Sequence, residues 1–296
     1  MIKVGIIGHA DEITGQLTGL LIHHPDADVK VVICPEMEGK RIDSVFKALS
    51  GDTDGVFCSR VDEPLDVIFL CDNVMSNFIP SCDESGKKLY VVALHPLEGD
   101  RPEGWVYGLP ELNRRIIVHD TYCVDCPSAH ATGVLLGLLP LAKNLLLNGA
   151  IRVTLSGSQT GEAAPTLSAE IVNALRSLQA SFNSPLQIHY DGHDRHPDLL
   201  VRIEAECKVS LDVLRDIYAD FYDDHNFTFL TQDVRKGDVT GTNKCLISLD
   251  KDGDTLRIST VTDSRIKGLI GAAVHNMNLL FGLHERVGLM LMPHYI

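Results

Sequence analysis

The sequence predicts an α/β protein, on two observations. In the N-terminal part, short apolar runs alternate with helix-like stretches; beyond residue 150, longer strand-like runs surround amphipathic helical segments. Buried strands separated by helices build a parallel, doubly wound sheet, because each crossover lays a helix on one face of that sheet. Residues 2–7 form the first apolar strand, closed by Gly8, and residues 12–24 carry a helical pattern stopped by Pro25. Further buried strands fall at 29–34, 65–71 and 89–94. Residues 132–147 are almost wholly apolar and end at Asn148-Gly149, a helix-stop pair, so they read as a buried helix. The style then changes to α+β: strands at 151–156, 186–190, 199–209, 244–250 and 255–261, with helices at 168–181 and 210–222. An apolar helix with small residues on one face occupies 268–281. His23-His24 before Pro25 reads as a helix C-terminal cap, and Trp105 as a packing residue in a loop.

A net charge of −14 argues against nucleic acid or an anionic membrane surface as partner, since both need clustered Lys and Arg. No run approaches 18 uninterrupted apolar residues, and the N-terminus begins a strand rather than a signal peptide. Eight irregularly spaced Cys read as reduced thiols, and the expected location is the cytoplasm. Cys34, Cys58, Cys71, Cys82, Cys207 and Cys245 stand in no motif.

The most specific stretch is Cys126-Pro-Ser-Ala-His-Ala-Thr132, running into an apolar helix that ends Leu138-Leu-Pro140-Leu141. It resembles the active-site loop of the N-acyl-γ-glutamyl-phosphate reductase family (N-acetyl-γ-glutamyl-phosphate reductases). That loop reads Asn-Pro-Gly-Cys-aromatic-x-Thr before a helix ending Leu-Leu-Pro-Leu. Three other strings carry the same resemblance: Tyr107-Gly-Leu-Pro-Glu-Leu-Asn-Arg114, Thr242-Asn-Lys-Cys-Leu-Ile247, and the run from Lys267 through Asn276 to Gly282 with its tail at Glu285-Arg-Val-Gly-Leu289. The resemblance implies a Rossmann-like nucleotide-binding domain (1–131 plus 268–296) with an inserted α+β, semialdehyde-dehydrogenase-like domain (132–267). It implies NADP as cofactor, with contacts from Gly8, Gly15 and Asn276, and NADPH-dependent reduction of an acyl phosphate in arginine biosynthesis through a thioester on Cys. It also implies a homo-oligomer, with pairing to an active paralogue as a further option.

The positions that carry this chemistry are altered. Aligned without a gap from Pro140, the family's Cys falls on Ala129, and a methyl group is no nucleophile. The family's acid–base His falls on Leu167, in Leu167-Ser-Ala-Glu-Ile171. In the Gly-x-x-Gly-x-x-Gly loop, Gly8 stands, but Asp11 and Thr14 replace the second and third glycines ahead of Gly15. Asp11 and Glu12 suit a helix N-terminus as caps and would repel a phosphate there. The family's substrate-facing Pro-Arg-Gly falls on His196-Pro197-Asp198, its Gln on Ala272, and the stretch after Ser156-Gly-Ser-Gln-Thr-Gly161 reads as shortened.

Two clusters have the residue types and spacing of transition-metal ligands: His119-x3-Cys123-x2-Cys126-x3-His130, and His189-x3-His193-x2-His196 with Asp191, Asp194 and Asp198. Each also reads as ordinary structure, the Cys as small core residues and the His segment as a solvated Asp-Gly turn. Three functions follow as expectations. The first is a degenerate, non-reducing homologue kept as a binding, regulatory or oligomer-partner protein. The second is an active reductase using Cys126 as nucleophile with His130 as base. The third is a metal-binding protein or enzyme that uses the His and Cys residues of the former cleft.

Overall fold

The computed structural model describes residues 1–61, 64–72, 89–97, 101–156, 164–192 and 196–294. The chain divides into two compact units, Met1–Pro127 with Leu269–Met290, and Ser128–Gly268 with Leu291–Ile296.

In the first unit the described strands are β1 (Ile2–Ile7), β2 (Ala27–Ile33), β3 (Phe57–Cys58), β4 (Val67–Leu70), β5 (Tyr90–Ala93), β6 (Trp105–Tyr107) and β7 (Cys123–Asp125). They pair in the order β3-β2-β1-β4-β5-β7-β6, every pair parallel. The order reverses between β1 and β4, the topological switch point beside which doubly wound sheets bind ligands. Val4, Ile6, Ile7, Val67, Ile68 and Phe69 are fully buried, as a strand covered on both faces requires. The helices are α1 (Glu12–Ile22), the short α2 (Ile42–Val45) and α3 (Pro110–His119). Trp105, expected in a loop, lies in edge strand β6.

The second unit is α+β. Helices α4 (Ala129–Lys143), α5 (Ala164–Arg176) and α6 (Leu211–Tyr222) accompany β8 (Ile151–Ser156), β9 (Leu186–Tyr190), β10 (Asp198–Glu206), β11 (Thr228–Leu230), β12 (Cys245–Asp252) and β13 (Thr255–Asp263). These strands pair in the order β11-β12-β13-β10-β8-β9. Helix α4 is buried throughout from Ala129 to Ala142, and Gly133 and Gly137 let its backbone lie against Val201 and Ile203 of β10.

Pro140 interrupts α4 chemically. Lacking an N–H, it leaves the Leu136 carbonyl without its helical donor. Tyr222 supplies the replacement: its Oη donates to Leu136 O at 2.5 Å, while Tyr218 Oη donates to Gly137 O at 2.6 Å. Both tyrosines are buried, so no water competes. Tyr222→Phe is therefore expected to orphan a buried carbonyl and lower unfolding free energy by about 1–3 kcal/mol, read as a shifted urea midpoint with unchanged slope.

The first unit is completed by α7 (Gly271–Leu280). His24, just past the end of α1, is buried and satisfied only when neutral: Nε2 meets Asn278 Oδ1 at 3.0 Å, and Nδ1 accepts from Asp26 N at 3.2 Å. Burial pushes its pKa below the ordinary 6.5. Between the folded and unfolded pKa values the unfolded chain binds more protons, so this contribution is complete above pH 6.5 and is lost as pH falls through the folded value. Scanning calorimetry is expected to show Tm dropping below that pH, with a shallower drop in His24→Gln.

Candidate functional site

In the first unit, the loop between β1 and α1 stands at the switch point. Asp11 caps α1, its Oδ1 accepting from Thr14 N at 2.9 Å. Thr14 is fully buried, and a Cβ at Gly8 would run into its hydroxyl, so the side chain fills the space beside Gly8. Gly15 faces the Phe46 ring, where a Cβ would come within 2.9 Å. Glu36, just past β2, reaches back to the same loop: its Oε1 lies 3.0 Å from His9 Nδ1 and accepts from Ala10 N at 3.3 Å. Its carboxyl is held down at about 2, first by its own backbone N–H and, against partial desolvation, by His9, Cys34 and Ala10 N–H. Sequence reasoning did not single out Glu36; the available signal was an acid in the turn that follows the second strand.

Asn276 of α7 is fully buried. Its Nδ2 donates to Gly108 O at 2.8 Å and Ala272 O at 3.0 Å, and lies 3.5 Å from Cys126 Sγ. Its Oδ1 has no hydrogen-bond partner among the described residues, so a carboxamide N–H would suit it. The phosphate end does not suit a dinucleotide: the glycine space is filled by Thr14 and the loop is lined by Asp11, Glu12 and Glu36.

Cys126 follows β7 with no exposure, and burial pushes its thiol up to about 12, the neighbouring Asp125 adding to the shift. A thiol in that state supplies no thiolate near neutrality. Cys123 packs beside a core cluster containing Ile68 and Val91, and burial raises its thiol too.

In the second unit, Ser128 caps α4. Its Oγ accepts from Ala131 N at 3.2 Å and donates to Glu170 Oε2 at 2.8 Å, while Ser128 N donates to Glu170 Oε1 at 3.0 Å. A carboxylate at a helix N-terminus is favourably placed. Ala129 is the first residue of α4; it is buried and packs against Gly268, where a Cβ would come within 2.7 Å of its methyl. Leu167 is fully buried on α5. His130 is buried with its ring edge-on to Tyr190, centroids 5.8 Å apart.

Among the described residues the metal constellations are not assembled: no group of three or more His, Cys, Asp and Glu there could hold an ion. Cys123 lies in β7, Cys126 just after it, and His130 on α4. His189 is exposed and, by strand alternation, projects from the opposite face of β9 to Tyr190, the ring that His130 touches. His196 Nδ1 accepts from Asp198 N at 3.0 Å, and Asp198 is a buried loop anchor, accepting from Gly237 N at 2.7 Å and Thr240 Oγ1 at 2.8 Å. His193, Asp194 and Cys82 lie outside the described residues, as does residue range 157–163, where the shortened stretch was expected. No described helix is long and apolar enough to cross a membrane.

No family model matches the chain. Full-length relatives do. It is 37% identical over 325 residues to an N-acetyl-gamma-glutamyl-phosphate reductase of Parabacteroides distasonis, with 99% of each chain covered. It is 37% identical to the enzyme so named in Phocaeicola vulgatus and 34% to that of Bacteroides thetaiotaomicron, again with 99% of each chain covered. Two crystal structures of aspartate semialdehyde dehydrogenase II from Vibrio cholerae, one complexed with ASA, superpose with TM-scores of 0.67 and 0.63. They cover 95% of this chain and 99% of theirs at 14% and 15% identity, a likeness of fold: a Rossmann-like unit with a second α+β unit.

Proposed function

The chain belongs to the N-acetyl-gamma-glutamyl-phosphate reductase family, and from that premise we propose that it is a member without reductase activity, retained as a binding, regulatory or oligomer-partner protein. The observation that carries this reading is Ala129 as the first residue of α4. A nucleophile there would gain from the helix N-terminus, which lowers a thiol's pKa. A methyl group gains nothing.

The other altered positions point the same way. Leu167, buried in apolar surroundings, can neither accept nor donate a proton. The alternative with Cys126 as nucleophile is opposed by that thiol's complete burial and raised pKa. The metal alternative has no ligand set among the described residues to stand on. Supporting a regulatory or oligomeric role, the frame of the active-site helix is kept: the Ser128–Glu170 cap and the buried α4 are those of a stable fold. The test is a reductase assay in the direction of NADP reduction, with the family's semialdehyde and phosphate, beside an active relative. Absence of turnover is expected; turnover that survives removal of trace contaminating enzyme would overturn the reading.

A further inference from the structure

The loop after β1 binds itself. A loop that receives phosphate at the start of a Rossmann helix offers free backbone N–H groups and room beside glycine. Here Ala10 N donates to Glu36 Oε1, Asp11 N to His9 O at 2.8 Å, Thr14 N to Asp11 Oδ1, and Gly15 N to Asp11 O at 3.1 Å. The space beside Gly8 is taken by Thr14. His9, the loop's own basic side chain, lies between two carboxylates, 3.0 Å from Glu36 and 3.9 Å from Asp72.

We infer that Glu36 is an internal substitute for a nucleotide phosphate: its carboxylate occupies the donors His9 and Ala10 N–H and so excludes phosphorylated nucleotides from the loop. The inference rests on the reading of the chain as a non-reducing member, and names the residue that shuts its nucleotide loop. Glu36 reaches the loop from the turn after β2, so it acts as a separable plug. Asp11 and Thr14, by contrast, belong to the loop's own fold. A carboxylate and a phosphate compete for the same donors with the same sign of charge, and a held carboxylate also repels the incoming anion. His9 Nδ1 and Ala10 N both engage the same oxygen, Glu36 Oε1, and these contacts help to hold the carboxyl down in its charged form.

The experiment is calorimetric titration of the full chain and of Glu36→Ala with NADPH and NADH, without substrate, after circular dichroism and Tm confirm that the variant folds. Binding by Glu36→Ala should be about tenfold or more tighter than any binding by the unaltered chain. Equal affinity in the two proteins would overturn the inference, whether both bind or neither does. A variant combining Asp11→Gly with Thr14→Gly controls for the loop: binding gained there but not in Glu36→Ala assigns the block to the loop itself and also overturns it. The two readings fail separately. Nucleotide binding by the unaltered chain as tight as that by Glu36→Ala, without turnover, sinks the plug alone, and turnover in the reductase assay sinks the non-reducing reading.

Discussion

Given N-acetyl-γ-glutamyl phosphate and NADPH, the purified protein is expected to consume nucleotide no faster than a protein-free blank. Removing the nucleophile from a machinery that acts as a unit lowers turnover by about 10⁶, and the residual rate then rests on binding and electrostatics alone. Loss of the acid–base group is worth about 10²–10⁴ by itself but does not add to that figure, because the two act on one step. Cys126→Ser should leave the rate at the blank; a rate in the unaltered chain abolished by this change would make Cys126 the nucleophile and end the degenerate reading. The thiols report the same contrast. Cys34, Cys71 and Cys126 are pushed up to about 12, chiefly by burial. Iodoacetamide at neutral pH should modify them slowly. Ala129→Cys places a thiol at the first turn of α4, where the helix N-terminus favours the thiolate, so it should be labelled faster than these three. Activity is not expected to return in that variant, since on the proposed reading the acid–base position is Leu167, a fully buried side chain that carries no proton.

The proposed vacancy at Ala129 rests on an ungapped spacing to Pro140, which sits inside α4 with Ala129 as its first residue. Strands β1, β8 and β9 were legible to the residue, being apolar or alternating runs with a punctuating residue at each end. Strands of two or three residues, such as β3, β6 and β11, are too short to show any period, and Trp105 was misread on that account. What escaped in the site was long-range. Glu36 meets Ala10, 26 residues earlier, and Glu170 meets Ser128, the N-cap of α4, 42 residues before it; an acid past β2 hinted at the first meeting, and local pattern carries no trace of the second. The metal reading finds no ligand set among the described residues, for the opposite reason. His189 and the residues around it have attractive spacing, but alternation along β9 separates His189 from Tyr190 and so from His130.

Arg101→Met is expected to be the most destabilising single change in the first unit. Asp125, on β7, has no exposure, and Arg101 holds it with two bonds, Nε to Oδ1 at 2.6 Å and Nη2 to Oδ2 at 2.8 Å. Leu97 N adds a third at 3.2 Å, and the guanidinium also lies 4.6 Å from the centre of the Tyr107 ring. Removing one partner of a buried pair leaves an uncompensated charge, at a cost of about 3–5 kcal/mol. The lower end applies, since the Arg101 side chain keeps 31% exposure. The sign with pH separates this from simple loss of packing. Burial already raises the Asp125 carboxyl, and Arg101 opposes that rise. Without Arg101 the folded-state pKa climbs further above the unfolded one. The folded variant then binds more protons than the unfolded chain in that window, and its stability falls as pH rises through it. The deficit measured by urea unfolding should thus be largest at alkaline pH and shrink on acidification. Adding Asp125→Asn to Arg101→Met removes the charge while keeping an acceptor for Leu97 N–H. Most of the lost stability should return, and the pH dependence of the deficit should vanish. A deficit that is flat with pH and unmoved by Asp125→Asn would mean that Arg101 acts through its packing on Tyr107, with the ion pair contributing little.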